Sequence, residues 1–313
     1  MVTPLITVKN AFATGEPLLR KAIRHFSLLS SGSVLVGASG GKDSTYLALL
    51  LRNMGFDVRC LVVDMGYPGF DAAKVADNLR CLGLPADVSN LRREMEAGAF
   101  SPDQMKTLAA NFAELDSESC VTPCGACSRN KRLALLSFAL QKGFSQVALG
   151  HHQDDFLVTL LKDYFAHCYY RVCGRYNWEQ FAAFIGEAVI DEGDLASMCA
   201  ARQAATMSVA LQLHPKVSLF RPMIFIPEDE IIASRDALAM PTVSSGCSHS
   251  VFTMRTSPPT KRELVHADLK RRLRNDPELA KRLVPLMLST LTSEGYPIAT
   301  PRNERRAALP GFD

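Results

Sequence analysis

The chain has 313 residues, 47% of them hydrophobic and 21% charged, with a net charge of +3. That length and apolar content can bury a sizeable core, and so mild a basic excess permits an acidic partner such as RNA without requiring one. No apolar run approaches the roughly 18 residues of a membrane span, and Met1 to Leu19 lack a basic start followed by a long apolar stretch, so a cytoplasmic protein with no membrane partner is expected. Nine cysteines are an odd count for a pure disulfide framework, and in a reducing compartment they point to free thiols or metal ligands. Cys60, Cys81 and Cys199 read as small buried hydrophobes.

The first element in chain order is an amphipathic helix over Gly15 to Leu29. Ser33 to Gly37 reads as a short buried strand, followed by a glycine-rich turn and a helix over Ser44 to Met54. Val58 to Val63 is a second apolar strand, a helix spans Ala72 to Leu82, and Ala86 to Val88 is a weak third strand. A helix over Lys131 to Lys142 leads into a strand at Gln146 to Gly150. The next helix starts near Asp154 and runs to about Phe165, and a last strand covers Val217 to Phe220. Strands alternating with helices imply an α/β fold, doubly wound, with a mostly parallel sheet. Ligands of such sheets sit beyond the carboxyl ends of the strands. The loops Gly37 to Ser44, Asp64 to Phe70 and Gly150 to Asp155 all fall on that edge, and they hold most of the unusual residues.

Two regions depart from the alternation. Ala166 to Leu213 has helical composition, and Trp178, Phe181, Phe184 and Ile185 recur at helical spacing as a packing stripe. Thr260 to Thr290 reads as two helices broken near Asn275, Asp276 and Pro277, and its basic run from Lys270 to Arg274 is either a phosphate contact or a solvated face. The expected division is therefore residues 1–165 as the first part of a nucleotide-binding domain, 166–213 as a helical insertion, 214–256 as the second part, and 257–313 as C-terminal helices and tail.

The turn Ala38-Ser39-Gly40-Gly41-Lys42-Asp43-Ser44-Thr45 leaves a strand and opens a helix, which suits it to hold an anion. Glycines let the backbone approach phosphate oxygens, and the helix N-terminus offers free N–H groups and partial positive charge. Lys42 adds a full charge, and Ser39 and Ser44 add hydroxyls. Asp43 repels phosphate directly, so a bridging magnesium ion accounts for it. The turn is shorter than a Walker A loop, which excludes an ordinary P-loop NTPase. Cys124-Gly125-Ala126-Cys127, read alone, fits zinc, a redox pair or part of an iron–sulfur cluster.

Ser39-Gly40-Gly41-Lys42-Asp43-Ser44 resembles the SGGxDS motif of the PP-loop, or N-type, ATP pyrophosphatases, whose fold is like that of adenine nucleotide alpha hydrolases. Cys124 to Cys127 with Arg129 and Arg132 further resembles the tRNA 2-thiocytidine synthetases. So do Gly150-His151-His152-Gln153-Asp154-Asp155, Pro68-Gly69-Phe70, Arg221-Pro222, and Cys247 eight residues before Arg255. Occurring together in order, over about Ser33 to Phe165 and Phe220 to Leu291, they are far more specific than any one alone. The stretch from Ala166 to Leu213 replaces a shorter Gly- and Lys-rich loop of that family.

The resemblance implies cleavage of ATP between the α- and β-phosphates, adenylation of a carbonyl oxygen, and displacement of AMP by sulfur. It implies ATP contacts from Ala38, Ser39, Gly40, Gly41, Lys42, Asp43, Ser44, Thr45, Asp64, Gly150, His151 and Asp155, with Asp43 and Asp155 on Mg²⁺. It implies a [4Fe-4S] cluster on Cys124, Cys127 and Cys247, which with Lys42 and Ser44 are the catalytic candidates. Arg129, Arg132, Arg221 and Arg255 are the candidates for substrate phosphate. The implied partners are tRNA, a sulfur donor such as a cysteine desulfurase, and a second copy of the chain in a homodimer. Three other readings stay open: thiolation of a free nucleobase, nucleotide or other small molecule, an amine-using ligase like the tRNA lysidine synthetases, and a non-enzymatic iron–sulfur or RNA-binding protein on an ATP fold.

Overall fold

The computed structural model describes residues 11–30, 32–67, 69–116, 123–175, 177–201, 203–204, 207–243 and 260–291, with the backbone alone for 114–116 and 123–124. They form two compact units, one drawn from 1–151 and 210–251 and the other from 152–209 and 252–297.

The first unit is built on one six-stranded sheet of order β3-β2-β1-β4-β6-β5. Its strands are β1 Ser33–Ala38, β2 Asp57–Asp64, β3 Ala86–Asn90, β4 Gln146–Leu149, β5 Ala210–His214 and β6 Val217–Phe220. All neighbours are parallel except the β5–β6 pair, which is antiparallel. The central strand shows why a parallel sheet forms here. Val34, Leu35 and Val36 are all fully buried, as a strand covered on both faces requires. Leu35, Leu61, Val147 and Leu219 pack in one cluster with Leu133 and Leu136 of a 20-residue helix. The alternate residues Val34, Val36, Cys60 and Val62 are equally buried and face the other way by the two-residue period of the pleat.

The helices of this unit are α1 Gly15–His25, α2 Lys42–Asn53, α3 Ala72–Cys81, α4 Leu91–Glu96, α5 Pro102–Asp116 and α6 Pro123–Lys142. Three starts are capped by side chains: Asp71 accepts from Lys74 N–H at 2.9 Å before α3, Asn90 accepts from Arg93 N–H at 3.0 Å before α4, and Ser101 Oγ accepts from Gln104 N–H at 3.4 Å before α5, the usual device for a helix start. Strand β1 feeds α2 and β2, which lie to one side of it, whereas the chain returns through α6 to β4 on the other side. The reversal of strand order therefore falls between β1 and β4, where doubly wound sheets open a ligand crevice.

The second unit is helical: α7 Gln153–Cys173, α8 Trp178–Glu187, α9 Glu192–Ala200, α11 Lys261–Asn275 and α12 Leu279–Leu291. Helix α10 Glu228–Ala237 belongs to the first unit. The aromatic stripe is core, as expected: Phe181 is fully buried, and Tyr169 meets the rings of Phe181 and Phe184 at 5.3 and 5.6 Å. The C-terminal pair breaks where expected, at Asp276 and Pro277, and a reciprocal Thr260–Glu263 cap starts α11.

Several boundaries differ from expectation. Residue 165 lies inside the continuous helix α7, which runs to Cys173 and ends on Gly174 in the left-handed region at φ 67. Residues 210–213, assigned by composition to the helical insertion, belong to strand β5 Ala210–His214, which pairs with β6. An edge strand with one partner carries a weak apolar pattern, so composition hid it. Cys81 is exposed rather than buried, because it ends α3 on its solvent side, whereas Cys60 and Cys199 are buried as read. Burial pushes the Cys60 thiol up to about 12, so it is inert near neutral pH.

Glycine is required at Gly150, just past β4. A Cβ there would stand 2.8 Å from the Ser44 nitrogen and 2.9 Å from the Asp43 carbonyl carbon, and backbone cannot yield as a flexible side chain does. Gly150→Ala should lower stability by about 1–3 kcal/mol. Gly186→Ala meets nothing within 4 Å and should change it by less than about 0.5 kcal/mol. Urea unfolding midpoints of the full chain measure both.

Candidate functional site

The turn from β1 into α2 places the candidate loop at the carboxyl edge of the sheet. Gly40 sits at φ 79, a left-handed conformation that glycine adopts without strain. Its carbonyl accepts from Val243 N–H at 3.0 Å. Gly41 is the N-cap of α2 and gives no side-chain cap, which suits the first-turn N–H groups to an anion.

The hydroxyls serve the loop itself. Ser44 is buried at 5% exposure, and its Oγ accepts from Ser39 N–H at 3.1 Å. Thr45 Oγ1 donates to the Gly41 carbonyl at 3.0 Å. Ser44 and Thr45 therefore shape the turn in this structure, where the sequence suggested a phosphate donor for Ser44. Ser39 Oγ lies 3.3 Å from Ser44 Oγ and 3.4 Å from Gly41 N.

Lys42 Nζ stands 2.7 Å from Glu228 Oε1 and 3.0 Å from Asp43 Oδ1. Burial opposes the charge on Lys42, but hydrogen bonds and attraction from Glu228 and Asp43 outweigh it and hold the ammonium above its ordinary value of 10.5. Glu228 is only 8% exposed and opens α10 directly after the N-cap Pro227. The sequence reading missed it. The available signal was an acidic residue in the first turn of a helix soon after a strand end, a weak pattern because such residues commonly serve the helix dipole.

The other expected residues divide. Asp64 ends β2 and accepts from Gly66 N–H at 2.8 Å and from Asn90 Nδ2 at 2.7 Å. Arg129 donates through Nε to Asn111 Oδ1 at 2.9 Å, and Arg132 Nε lies 3.4 Å from the Ser128 carbonyl. Arg221 is buried at 9% exposure. Ala38 is buried, and Gly150 and His151 are partly so, beyond β4. Cys127 is a partly buried free thiol on α6. For Cys124 the structure describes the backbone alone, also on α6, while Pro68, Cys247 and Arg255 lie outside the described residues.

In the second unit, Asp155 accepts from His152 N–H at 3.2 Å and pairs with Arg262. This is a helix-capping position, where the resemblance implied an ATP and Mg²⁺ contact. Asp154, 2% exposed, meets Lys270 at 2.8 Å. Arg271 and Arg272 each reach Asp268 at 2.5 Å, and Arg272 also donates to the carbonyls of Ile185 and Ala188 at 3.0 and 2.6 Å. Most of the basic run therefore holds its own unit together, because a buried carboxylate and free carbonyls need partners more than the solvent does.

No family model matches the chain. It is similar to the tRNA-cytidine(32) 2-sulfurtransferase of Anaeromyxobacter dehalogenans, 38% identical over 45% of this chain and 46% of that protein. The protein of the same name from Pelobacter propionicus is 28% identical over 74% of this chain and 71% of that one. The matched segment thus spans about half the length of the first of these relatives. Among solved structures, the U34-tRNA thiolase NcsA from Methanococcus maripaludis, described with its [4Fe-4S] cluster, matches at a TM-score of 0.60. It is 18% identical and covers 97% of this chain and 89% of that one. This likeness establishes the fold alone: the chain shares the α/β architecture of that structure. The motif resemblance to tRNA 2-thiocytidine synthetases is matched by the names of the similar proteins. No helix among the described residues is long and apolar enough to cross a membrane.

The Lys42 contacts make a pH prediction. A lysine held above its ordinary value stabilises the fold fully below 10.5, and that contribution is lost as pH rises through the raised value. Wild-type protein should therefore lose stability in the alkaline range where Lys42→Met shows no matching loss. At neutral pH Lys42→Met should be less stable by about 2 kcal/mol, because it removes the cation 2.7 Å from the buried Glu228 carboxylate. Urea titrations from neutral to alkaline pH measure both.

Proposed function

We propose that this chain is an ATP-dependent, iron–sulfur-dependent sulfurtransferase of the cytoplasm, acting on the C2 carbonyl of cytidine in tRNA. The observation that carries the reading is the charged Lys42, held at the start of α2 beside an uncapped N-terminus, where the sheet reverses its strand order. Those features suit a polyphosphate. The names of the similar proteins supply the acceptor and the sulfur chemistry.

The reaction balances as follows. The acceptor's carbonyl oxygen attacks the α-phosphorus of ATP, forming a P–O bond and releasing pyrophosphate. Hydrosulfide then attacks the activated carbon, the C–O bond breaks, AMP leaves with the former carbonyl oxygen, and the proton on sulfur is released to solvent. A thiocarbonyl remains. Lys42 and the first-turn N–H groups of α2 meet charge on the phosphates, a term that grows as the bond to pyrophosphate breaks. Asp43 is the proposed holder of Mg²⁺, which would offset the negative charge of Asp43 and Glu228 beside an incoming polyphosphate.

Cys124, Cys127 and Cys247 are the proposed cluster ligands. Cys127 fits: it is a partly buried free thiol, and Cys124 stands one turn before it on the same helix, the spacing that places two residues on one face. Val243, whose N–H is bonded to the phosphate loop, stands four residues before Cys247 in the chain. When bound, a cluster with an open iron would keep hydrosulfide deprotonated and aimed. Arg129, Arg132, Arg221 and Arg255 are the proposed contacts to substrate phosphate, with a homodimer as the assembly and a cysteine desulfurase as sulfur donor, its persulfide sulfur reduced to hydrosulfide by two electrons from a thiol reductant.

A second reading is thiolation of a free nucleobase or nucleotide. It is favoured by one observation: Lys270, Arg271 and Arg272 have protein partners, which weakens the case for RNA contact along α11.

Anaerobically purified protein should contain iron and acid-labile sulfide, and Cys124→Ala, Cys127→Ala and Cys247→Ala should each lose them along with thiolation. The coupled products should be AMP and pyrophosphate, and Lys42→Ala should cost more than about 2 kcal/mol of transition-state stabilisation. ADP and phosphate as coupled products would overturn the mechanism. Thiolation of tRNA, read by mass spectrometry, should fall steeply with salt, since each neutralised phosphate releases counterions. Sulfur entering a free base and never tRNA would instead establish the second reading.

A further inference from the structure

Lys42 occupies an unfavourable place for its charge. It is the first residue of α2, where the helix dipole repels a cation. Its long side chain has many rotamers and loses entropy when fixed in one. Neither local preference nor packing explains a defined ammonium position there.

Asp43 does not supply one on its own. It is the next residue on the same helix, its side chain is 33% exposed, and it moves with α2. Glu228 differs in each respect. It lies 186 positions away on a separate helix, and its side chain is only 11% exposed. It opens α10 within an acidic first turn, where the dipole favours a carboxylate. Helix α10 is itself fixed: it packs against α2, Ile231 is fully buried, and Ser234 Oγ donates to the Ala11 carbonyl at 2.7 Å.

We propose that Glu228 is the positioning residue for Lys42, fixing the direction of its ammonium before a nucleotide arrives. This rests on the reading of the loop as an ATP site and deepens it. A carboxylate beside a phosphate site weakens anion binding by simple repulsion, so its place next to Lys42 calls for a geometric reason. The 2.7 Å hydrogen bond has one end on α2 and the other on α10, so the lysine is set by two elements and not by its own helix alone.

The test separates geometry from charge. Glu228→Gln and Glu228→Met remove the same negative charge at similar length, but only Gln keeps an acceptor for Lys42. Binding of ATP with Mg²⁺ to the full chain is measured by calorimetry for both variants, alone and with Lys42→Ala. Glu228→Met should bind about tenfold more weakly than Glu228→Gln, the scale of one charge-assisted hydrogen bond. That difference should fall below about twofold with Lys42→Ala, because the residue acts through the lysine. Thermal melting checks the fold, and Glu228→Ala replaces Glu228→Met if the latter does not fold. Equal binding by Gln and Met variants would overturn the proposal while leaving the ATP site standing. So would a difference that persists without Lys42, since Glu228 would then act through the packing of α10. A wild-type protein that binds no ATP would overturn the site reading and the proposal together.

Discussion

Backbone meets backbone where β4 ends and α2 begins, and only glycine fits there. Gly150 brings the end of β4 to within van der Waals reach of Asp43 and Ser44. That contact sets the width of the edge at the point where the strand order reverses. It fixes the first turn of α2, and with it the N–H groups and the lysine that any anion would meet. The Ser39, Ser44 and Thr45 hydroxyls tighten the same turn from within. The loop is thus shaped before a ligand arrives, which spares binding the cost of ordering it.

Charge completes what shape begins. Lys42 has two carboxylates within 3.0 Å, so the three side chains together carry a net negative charge. A polyphosphate adds more. Such a site favours phosphate only if a divalent cation comes with it, or if the backbone N–H groups of α2 outweigh the repulsion. The Mg²⁺ proposed for this chemistry fits the loop's own charges as well as the motif. The second unit treats charge differently. Asp268, Arg271 and Arg272 join to the carbonyls around Ile185 and Ala188, so its basic residues serve packing as well as solvation.

The sheet was legible in the sequence because its strands are buried on both faces and read as continuous apolar runs. Val34 to Val36 and Val58 to Val63 could not be mistaken for surface. The phosphate loop was legible because glycine, lysine and serine at a strand-to-helix turn have few other uses. Strand β5 was not, because an edge strand with one partner has only half the apolar pattern. Helices α4 and α10, six and ten residues long with little periodicity, were missed, and so was the fifteen-residue α5. Glu228 was invisible because its role depends on a contact between residues 186 positions apart, and no local pattern encodes that. The run from Lys270 to Arg274 shows the converse, since a charged string looks the same in sequence whether it meets solvent, phosphate or a buried carboxylate.

The central claim is that the acceptor's carbonyl oxygen is transferred to the α-phosphate before sulfur enters. Labelling tests it directly. An acceptor carrying heavy oxygen in that carbonyl, as tRNA cytidine or as the free base, is thiolated with unlabelled ATP under anaerobic conditions, and the AMP is analysed by mass spectrometry. The account predicts AMP carrying the heavy oxygen and a thiolated product free of it. Unlabelled AMP, with the heavy oxygen released to water or left in the product, would contradict it.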